Sequence, residues 1–123
     1  MTKRNIVHIE IPTRDLAESG KFYQELFGWK ITPMPEMDYM LWEAGEGPGG
    51  GFMMLDEKTK PSEILIHVDS DDIEADLKKA TTLGAKVLVP KTEIPQIGWF
   101  AVFIDPSGNK IAIYTSMNPE FNK

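Results

Sequence analysis

Alternating apolar and polar residues near the start of the chain predict a β-strand over residues 6–12. Ile9 and Ile11 alternate with His8 and Glu10, and successive side chains of a strand point to opposite faces. The histidine and the carboxylate are therefore expected on one face of the strand. Such a pair suits three roles: metal ligands, a catalytic acid and base, or the rim of a polar cavity.

A helix is predicted directly after this strand. Asp15 and Glu18 have the spacing of a capping box, and apolar residues recur at helical intervals as far as Gly28. The glycine-rich segment 45–51 is interpreted as a flexible hairpin, with a lid over a site as the alternative. Short apolar segments predict three more strands, over residues 29–32, 39–44 and 52–55.

The second half of the chain repeats the same order of elements. A strand over residues 63–68 precedes a helix that opens with the capping pair Asp71 and Glu74 and ends at Gly84. Three further strands are predicted over residues 86–89, 99–104 and 111–115. The chain is thus predicted to be one α+β domain, residues 1–123, made of two βαβββ repeats that cover about residues 5–55 and 63–115.

Each repeat offers a sheet with a helix on one face, and the opposite face must be covered or must line a site. In the first repeat we expect Val7, Ile9 and Ile11 to face the helix. His8 and Glu10 then lie on the face turned away from the helix. Two repeats placed together predict a curved mixed sheet around a cup-shaped cavity.

Composition and charge exclude several classes of function. The 123 residues include no cysteine, which excludes disulfides, thiolate metal sites and a cysteine nucleophile. A net charge of −6 disfavours binding to nucleic acid. No apolar segment approaches the ~20 residues of a membrane helix, and the first residues lack the apolar core of a secretory signal. We therefore expect a cytoplasmic protein with no nucleic-acid or membrane partner.

Three segments of the chain resemble the vicinal oxygen chelate superfamily, which includes glyoxalase I, extradiol dioxygenases, and fosfomycin and bleomycin resistance proteins. They are HIEIPTRDLAESGKFYQELFGWKI, GGGFMML and FIDPSGNKIAIY. The chain is most similar to the small single-domain branch described as glyoxalase-related. This resemblance implies the paired βαβββ fold, a small-molecule ligand or substrate, and a homodimer. In the enzymes of the family, the cup holds one divalent metal bound by histidines and glutamates.

The resemblance places only a partial set of metal ligands on this chain. His8 falls on the first ligand position, and the third falls on Glu63 or Leu65, depending on how the strand is counted. The fourth falls on Ala112, and the second falls on an apolar residue of the segment GFMML. His8 and Glu63 are thus the candidate metal ligands. If a metal binds there, zinc, nickel, iron or manganese is expected.

Two further sets of residues are candidates for the site. Glu10 and His67 are candidates for proton transfer. The structural alternatives are a solvated or ion-paired Glu10 and a polar residue near a strand end for His67. The candidate walls of an apolar pocket are Trp42, Phe52 and Trp99.

Two functions are consistent with this sequence. The first is a glyoxalase/bleomycin-resistance-like protein whose cup binds a small molecule and has a degenerate metal site. The alternative is a divalent-metal-dependent lyase, isomerase or dioxygenase that acts on a small substrate with vicinal oxygens. No feature of the sequence identifies the substrate.

Overall fold

The computed structural model describes residues 4–117 and contains the order strand, helix, three strands, twice over. These residues form two compact units: Val7–Ile66, here the N-terminal unit, and residues 4–6 with 67–117, here the C-terminal unit. The predicted α+β class and the double βαβββ order are confirmed. A single domain with a shared cup stays a prediction, and residues 1–3 and 118–123 of that domain lie outside the described part of the chain.

The N-terminal unit has four strands in the order β2-β3-β4-β1. Strand β1 runs parallel to β4, and the other neighbouring pairs are antiparallel. The elements are β1 (Ile6–Thr13), α1 (Leu16–Phe27), β2 (Lys30–Met34), a 3-10 turn (Pro35–Met37), β3 (Tyr39–Glu43) and β4 (Gly49–Met54). Helix α1 begins where the Asp15 carboxylate accepts a hydrogen bond from the Glu18 backbone N–H, and it ends at Gly28 in the left-handed conformation. Both ends of α1 agree with the prediction.

The core of the N-terminal unit lies between α1 and one face of the sheet. Met40, Trp42 and Phe52 are buried there, and Ile9 and Ile11 pack against them. Burial of large apolar side chains of this kind stabilises the fold by about 1.5–3 kcal/mol each. Because strand residues alternate, the same packing places His8 and Glu10 on the opposite face, as predicted.

The C-terminal unit has the same plan, with the strand order β5-β8-β7-β6. Ile73 and Leu77 of its helix pack against Ala101 and Ile113 of the sheet. None of the helices within residues 4–117 is long and apolar enough to cross a membrane. The elements are β5 (Leu65–Asp69), α2 (Ile73–Thr82), β6 (Lys86–Ile94), β7 (Gly98–Ile104) and β8 (Lys110–Ser116).

Three local predictions are wrong. Helix α2 is capped by Asp72, which accepts from the Ala75 backbone N–H, and not by Asp71. The strand predicted from Glu63 starts only at Leu65. Residues 49–51 of the predicted hairpin belong to β4 and pair with β1 on one side and β3 on the other. A run of glycines has no side-chain alternation, so nothing in the pattern indicates a strand there.

Candidate functional site

Three polar side chains of the N-terminal unit form a hydrogen-bonded group on the sheet face opposite α1. The Tyr39 hydroxyl donates to Glu10 Oε2 over 2.7 Å. The same hydroxyl lies 2.6 Å from His8 Nε2, and the imidazole and phenol rings are inclined by only 17°. His8, Tyr39 and Glu10 are called the polar triad below. The triad links β1 to β3 across the intervening strand β4.

A glycine in β4 makes this link possible. Gly51 pairs in register with Glu10 of β1 and with Leu41 of β3, so it lies between the two ends of the triad. A Cβ atom at position 51 would collide with the Tyr39 hydroxyl and with the ring carbon that carries it. The phenol therefore occupies the space that a side chain at position 51 would need.

The positions of the protons in the triad follow from the donors available. A phenol has a single hydrogen, and that of Tyr39 is donated to Glu10. The phenol oxygen then accepts from His8, so His8 carries a hydrogen on Nε2. Burial raises the pKa of the Tyr39 hydroxyl far above its ordinary value, and the charge and hydrogen bond of Glu10 raise it further. Tyr39 is thus a hydrogen-bond donor at neutral pH and not a base.

The Glu10 carboxylate is half-buried and takes part in no ion pair with any residue from 4 to 117. Two cations of the same unit contact other carboxylates. Arg14 lies 3.0 Å from Glu18, and Lys30 lies 3.6 Å from Glu43. The hydrogen bond from Tyr39 is consequently the main local compensation for the charge of Glu10.

Sequence reasoning missed Tyr39, although a signal for it is present. Met40 and Trp42 of β3 face the core, so alternation places Tyr39 on the same side of the sheet as His8 and Glu10. The glycines of β4 become informative only once the structure shows that residues 49–51 lie in a strand, because a strand without side chains lets a long residue reach across it. Only the strand register shows that Gly51 stands opposite Glu10.

The two predicted pocket walls of the N-terminal unit lie in its core, and a role for them in binding stays a prediction. Trp42 and Phe52 are 5% and 0% exposed and lie under α1. Trp42 stacks on Trp29 with ring centroids 4.2 Å apart, and Phe52 stacks on Tyr23 at 5.5 Å. Both residues occupy the helix-facing positions of their strands, so neither can line a site on the opposite face.

Trp99 also lies on the helix side of its sheet. It packs against the core cluster that includes Ile73 and Leu77, and the Lys91 ammonium lies 5.4 Å from the centre of its ring. The role of Trp99 as a pocket wall stays a prediction. All three aromatic residues thus face the helix of their unit.

The two remaining candidates lie at different places. His67 is buried in β5 of the C-terminal unit, in register with Ala112 of β8. Its role in proton transfer stays a prediction. Glu63 is exposed in the segment before β5, where its carboxylate accepts from the Lys60 backbone N–H over 2.6 Å.

The donor set does not fit the divalent metal that enzymes of the resembled family hold. The Nε2 atom of His8 is occupied by the Tyr39 hydroxyl, and the buried Ala112 offers no donor. Residues 4–117 contain no group of three or more histidine, aspartate or glutamate side chains that could hold a metal ion. Protein sites for zinc and similar metals use three or four such ligands. We therefore assign no metal-dependent reaction step to these residues.

Comparison with known proteins gives a consistent result. Residues 5–45 match the protein family described as bleomycin resistance protein-like N-terminal. The chain is 30% identical over 101 residues to CFP32 of Mycobacterium tuberculosis (strain CDC 1551 / Oshkosh), a protein named as a candidate glyoxylase. That match covers 80% of this chain and 38% of CFP32. The chain thus spans well under half the length of this curated relative.

Solved structures with the same fold cover nearly the whole chain. Methylmalonyl-CoA epimerase from Mycobacterium tuberculosis superposes with a TM-score of 0.71 at 14% identity, over 97% of this chain and 92% of the epimerase. A glyoxalase/bleomycin resistance protein/dioxygenase superfamily member from Vibrio splendidus 12B01 superposes with a TM-score of 0.68 at 15% identity, over 93% and 100% of the two chains. At these identities the likeness concerns the fold.

Proposed function

This chain belongs to the glyoxalase/bleomycin resistance/dioxygenase superfamily, and from that premise we propose that it binds an organic small molecule without a divalent metal. The proposed site is the sheet face of the N-terminal unit that carries the polar triad. The observation behind this proposal is the pair of hydrogen bonds by which Tyr39 joins His8 and Glu10.

The face around the triad has the composition of a small-molecule site. Such sites combine apolar walls with a few well-oriented polar groups. Leu41 and Met53 stand in register with Gly51 and Tyr39, so they share the face of the triad, and both are half-buried. These residues take the place of the aromatic walls expected from the sequence.

The triad also offers a hydrogen-bond acceptor in a fixed orientation. Glu10 accepts hydrogen bonds, and its orientation is held by the Tyr39 hydroxyl. Groups whose positions are set before binding lose less entropy when a ligand arrives. The names of the relatives include a candidate glyoxylase and an epimerase, so the superfamily membership leaves the ligand of this chain to be identified.

Nuclear magnetic resonance with a fragment library tests the proposal directly. We expect hits that shift the backbone amides of His8, Glu10 and Gly51, while the amides of α2 stay unchanged. Tyr39→Phe should weaken these hits, and Tyr23→Phe on the helix side of the same unit should leave them unchanged. A library without hits on this face would overturn the proposal.

Metal content separates this function from a metal-dependent lyase, isomerase or dioxygenase. The protein is loaded with zinc, nickel, iron or manganese, dialysed, and measured by mass spectrometry. We expect no stoichiometric metal. One ion per chain that disappears in His8→Ala would favour the enzyme and count against metal-free binding. The homodimer implied by the resemblance stays a prediction, which light scattering checks.

A further inference from the structure

Glu10 carries a negative charge that the rest of the described chain does not neutralise. Taking a carboxylate partly out of water costs free energy unless an opposite charge or hydrogen bonds offset that cost. Within residues 4–117 the only side-chain hydrogen bond to this carboxylate is the one that Tyr39 donates to Oε2. Within the same residues no side chain donates a hydrogen bond to the second oxygen, Oε1.

The surroundings of Glu10 make a cationic ligand more favourable than an anionic one. The carboxylate takes part in no ion pair with any residue from 4 to 117, and the whole chain has a net charge of −6. A surface potential of one sign concentrates ligands of the opposite sign.

The chemistry beside Glu10 defines the rest of the ligand. Leu41 and Met53 offer apolar surface on the same face, and the Gly51 backbone leaves room for the phenol but contributes no side chain. An ammonium group has three donors and forms short, charge-assisted hydrogen bonds with a carboxylate. A small apolar body attached to that ammonium would cover the apolar side chains.

We propose that the ligand of this face is an organic amine, bound through its protonated nitrogen to Glu10 with its apolar part against Leu41 and Met53. This inference rests on the proposed small-molecule function and names the chemical class of the ligand. Tyr39 then acts as a positioning residue, because it holds Oε2 and turns Oε1 toward the amine.

Fragments with the same aromatic body and different charges test the inference. Each set has one apolar body with an aminomethyl, a hydroxymethyl or a carboxylate group, and benzylamine, benzyl alcohol and benzoate are the simplest set. Binding is followed at pH 8 by the amide shifts of Glu10 and Gly51. We expect the amine to bind about tenfold more tightly than the alcohol, a difference of about 1.4 kcal/mol, and the carboxylate to bind weakest. The preference should shrink as salt is raised.

Two variants isolate the contribution of Glu10. Glu10→Gln removes the charge and keeps the shape, so the amine should lose its advantage while the alcohol binds as before. Glu25→Gln makes the same change of charge on the exposed surface of α1 and should keep the preference. Circular dichroism confirms that both variants are folded.

The outcomes separate this inference from the function on which it rests. Alcohols that bind as tightly as amines, or an amine preference that survives in Glu10→Gln, would overturn the inference and leave small-molecule binding in place. Carboxylates that bind tightest would overturn it and indicate His8 as the anchoring group. A complete absence of binding across all sets would overturn both proposals.

Discussion

The phenol of Tyr39 lies in the space that a Cβ atom at position 51 would occupy. Tyr39 belongs to β3 and Gly51 to β4, and the contact lets the hydroxyl reach the carboxylate of Glu10 on the far side of β4. The missing side chain at Gly51 of β4 thus allows Tyr39 of β3 to contact Glu10 of β1. The polar triad depends on this relationship as much as on its own three residues.

Gly51→Ala should expel the Tyr39 ring and break both hydrogen bonds of the triad. Added atoms in a packed region typically cost about 1–3 kcal/mol, so we expect the free energy of unfolding to fall by that amount in urea denaturation. Ligand binding on this face should be lost as well.

The double variant Gly51→Ala with Tyr39→Ala serves as the control for this substitution. Removal of the ring relieves the collision, so the double variant should be more stable than the sum of the two single effects predicts. Strict additivity would show that the collision is not the cause.

Tyr39→Phe should destabilise the protein by about 1–3 kcal/mol, because Glu10 and His8 lose the hydroxyl between them. Chemical denaturation measures the change. Tyr23→Phe is the matched control, since Tyr23 lies in the aromatic cluster on the helix side and within residues 4–117 its hydroxyl makes no hydrogen bond. Equal effects in the two variants would argue against a special role of the Tyr39 hydroxyl.

Tyr39 should resist ionisation in an alkaline titration of the folded protein. Of the three tyrosines, Tyr39 has a pKa raised by burial and by Glu10, whereas the unfolded chain ionises near the ordinary value of about 10. Its contribution to stability is therefore present below that pH and lost as the pH rises above it. Absorbance of phenolate against pH reports the effect, and the slope of stability against pH should be flatter in Tyr39→Phe. Ionisation of Tyr39 in the folded protein near the ordinary value of about 10 would contradict this.

An acid-sensitive contact is expected in the C-terminal unit. Burial works against the charge of Asp76, but hydrogen bonds from Arg4 at 2.7 Å and from Ser70 outweigh it and lower the pKa of this carboxyl. The stability it contributes is present above the ordinary pKa of an aspartate and is lost as the pH falls through the lowered value.

Asp76→Asn should reduce the free energy of unfolding at pH 7 by about 0.5–1 kcal/mol, because Arg4 is largely exposed and solvent screens the pair. Denaturation curves at pH 7 and pH 3 measure the difference between variant and parent. Asp71→Asn, an exposed neighbour of α2, should show little change at pH 7. A similar loss in both variants would point to net charge instead of the Arg4 contact.

The local pattern was sufficient for much of the fold. The alternation in β1 placed His8 and Glu10 on the face away from the helix, and the Asp15 and Gly28 signals located both ends of α1. These features depend on residues a few positions apart, so the sequence of a single strand or helix is enough to predict them. The segment that contains β1 and α1 also carries part of the resemblance to the superfamily.

The sequence by itself thus determined the order of the elements and the face of the two polar residues in β1. Only the tertiary structure decided that Tyr39 completes the group and that Trp42 and Phe52 belong to the core. Those facts depend on the register between strands distant in sequence and on which face α1 covers. Neither quantity is contained in the periodicity of one segment, and the glycines of β4 carry no pattern from which a register could be inferred.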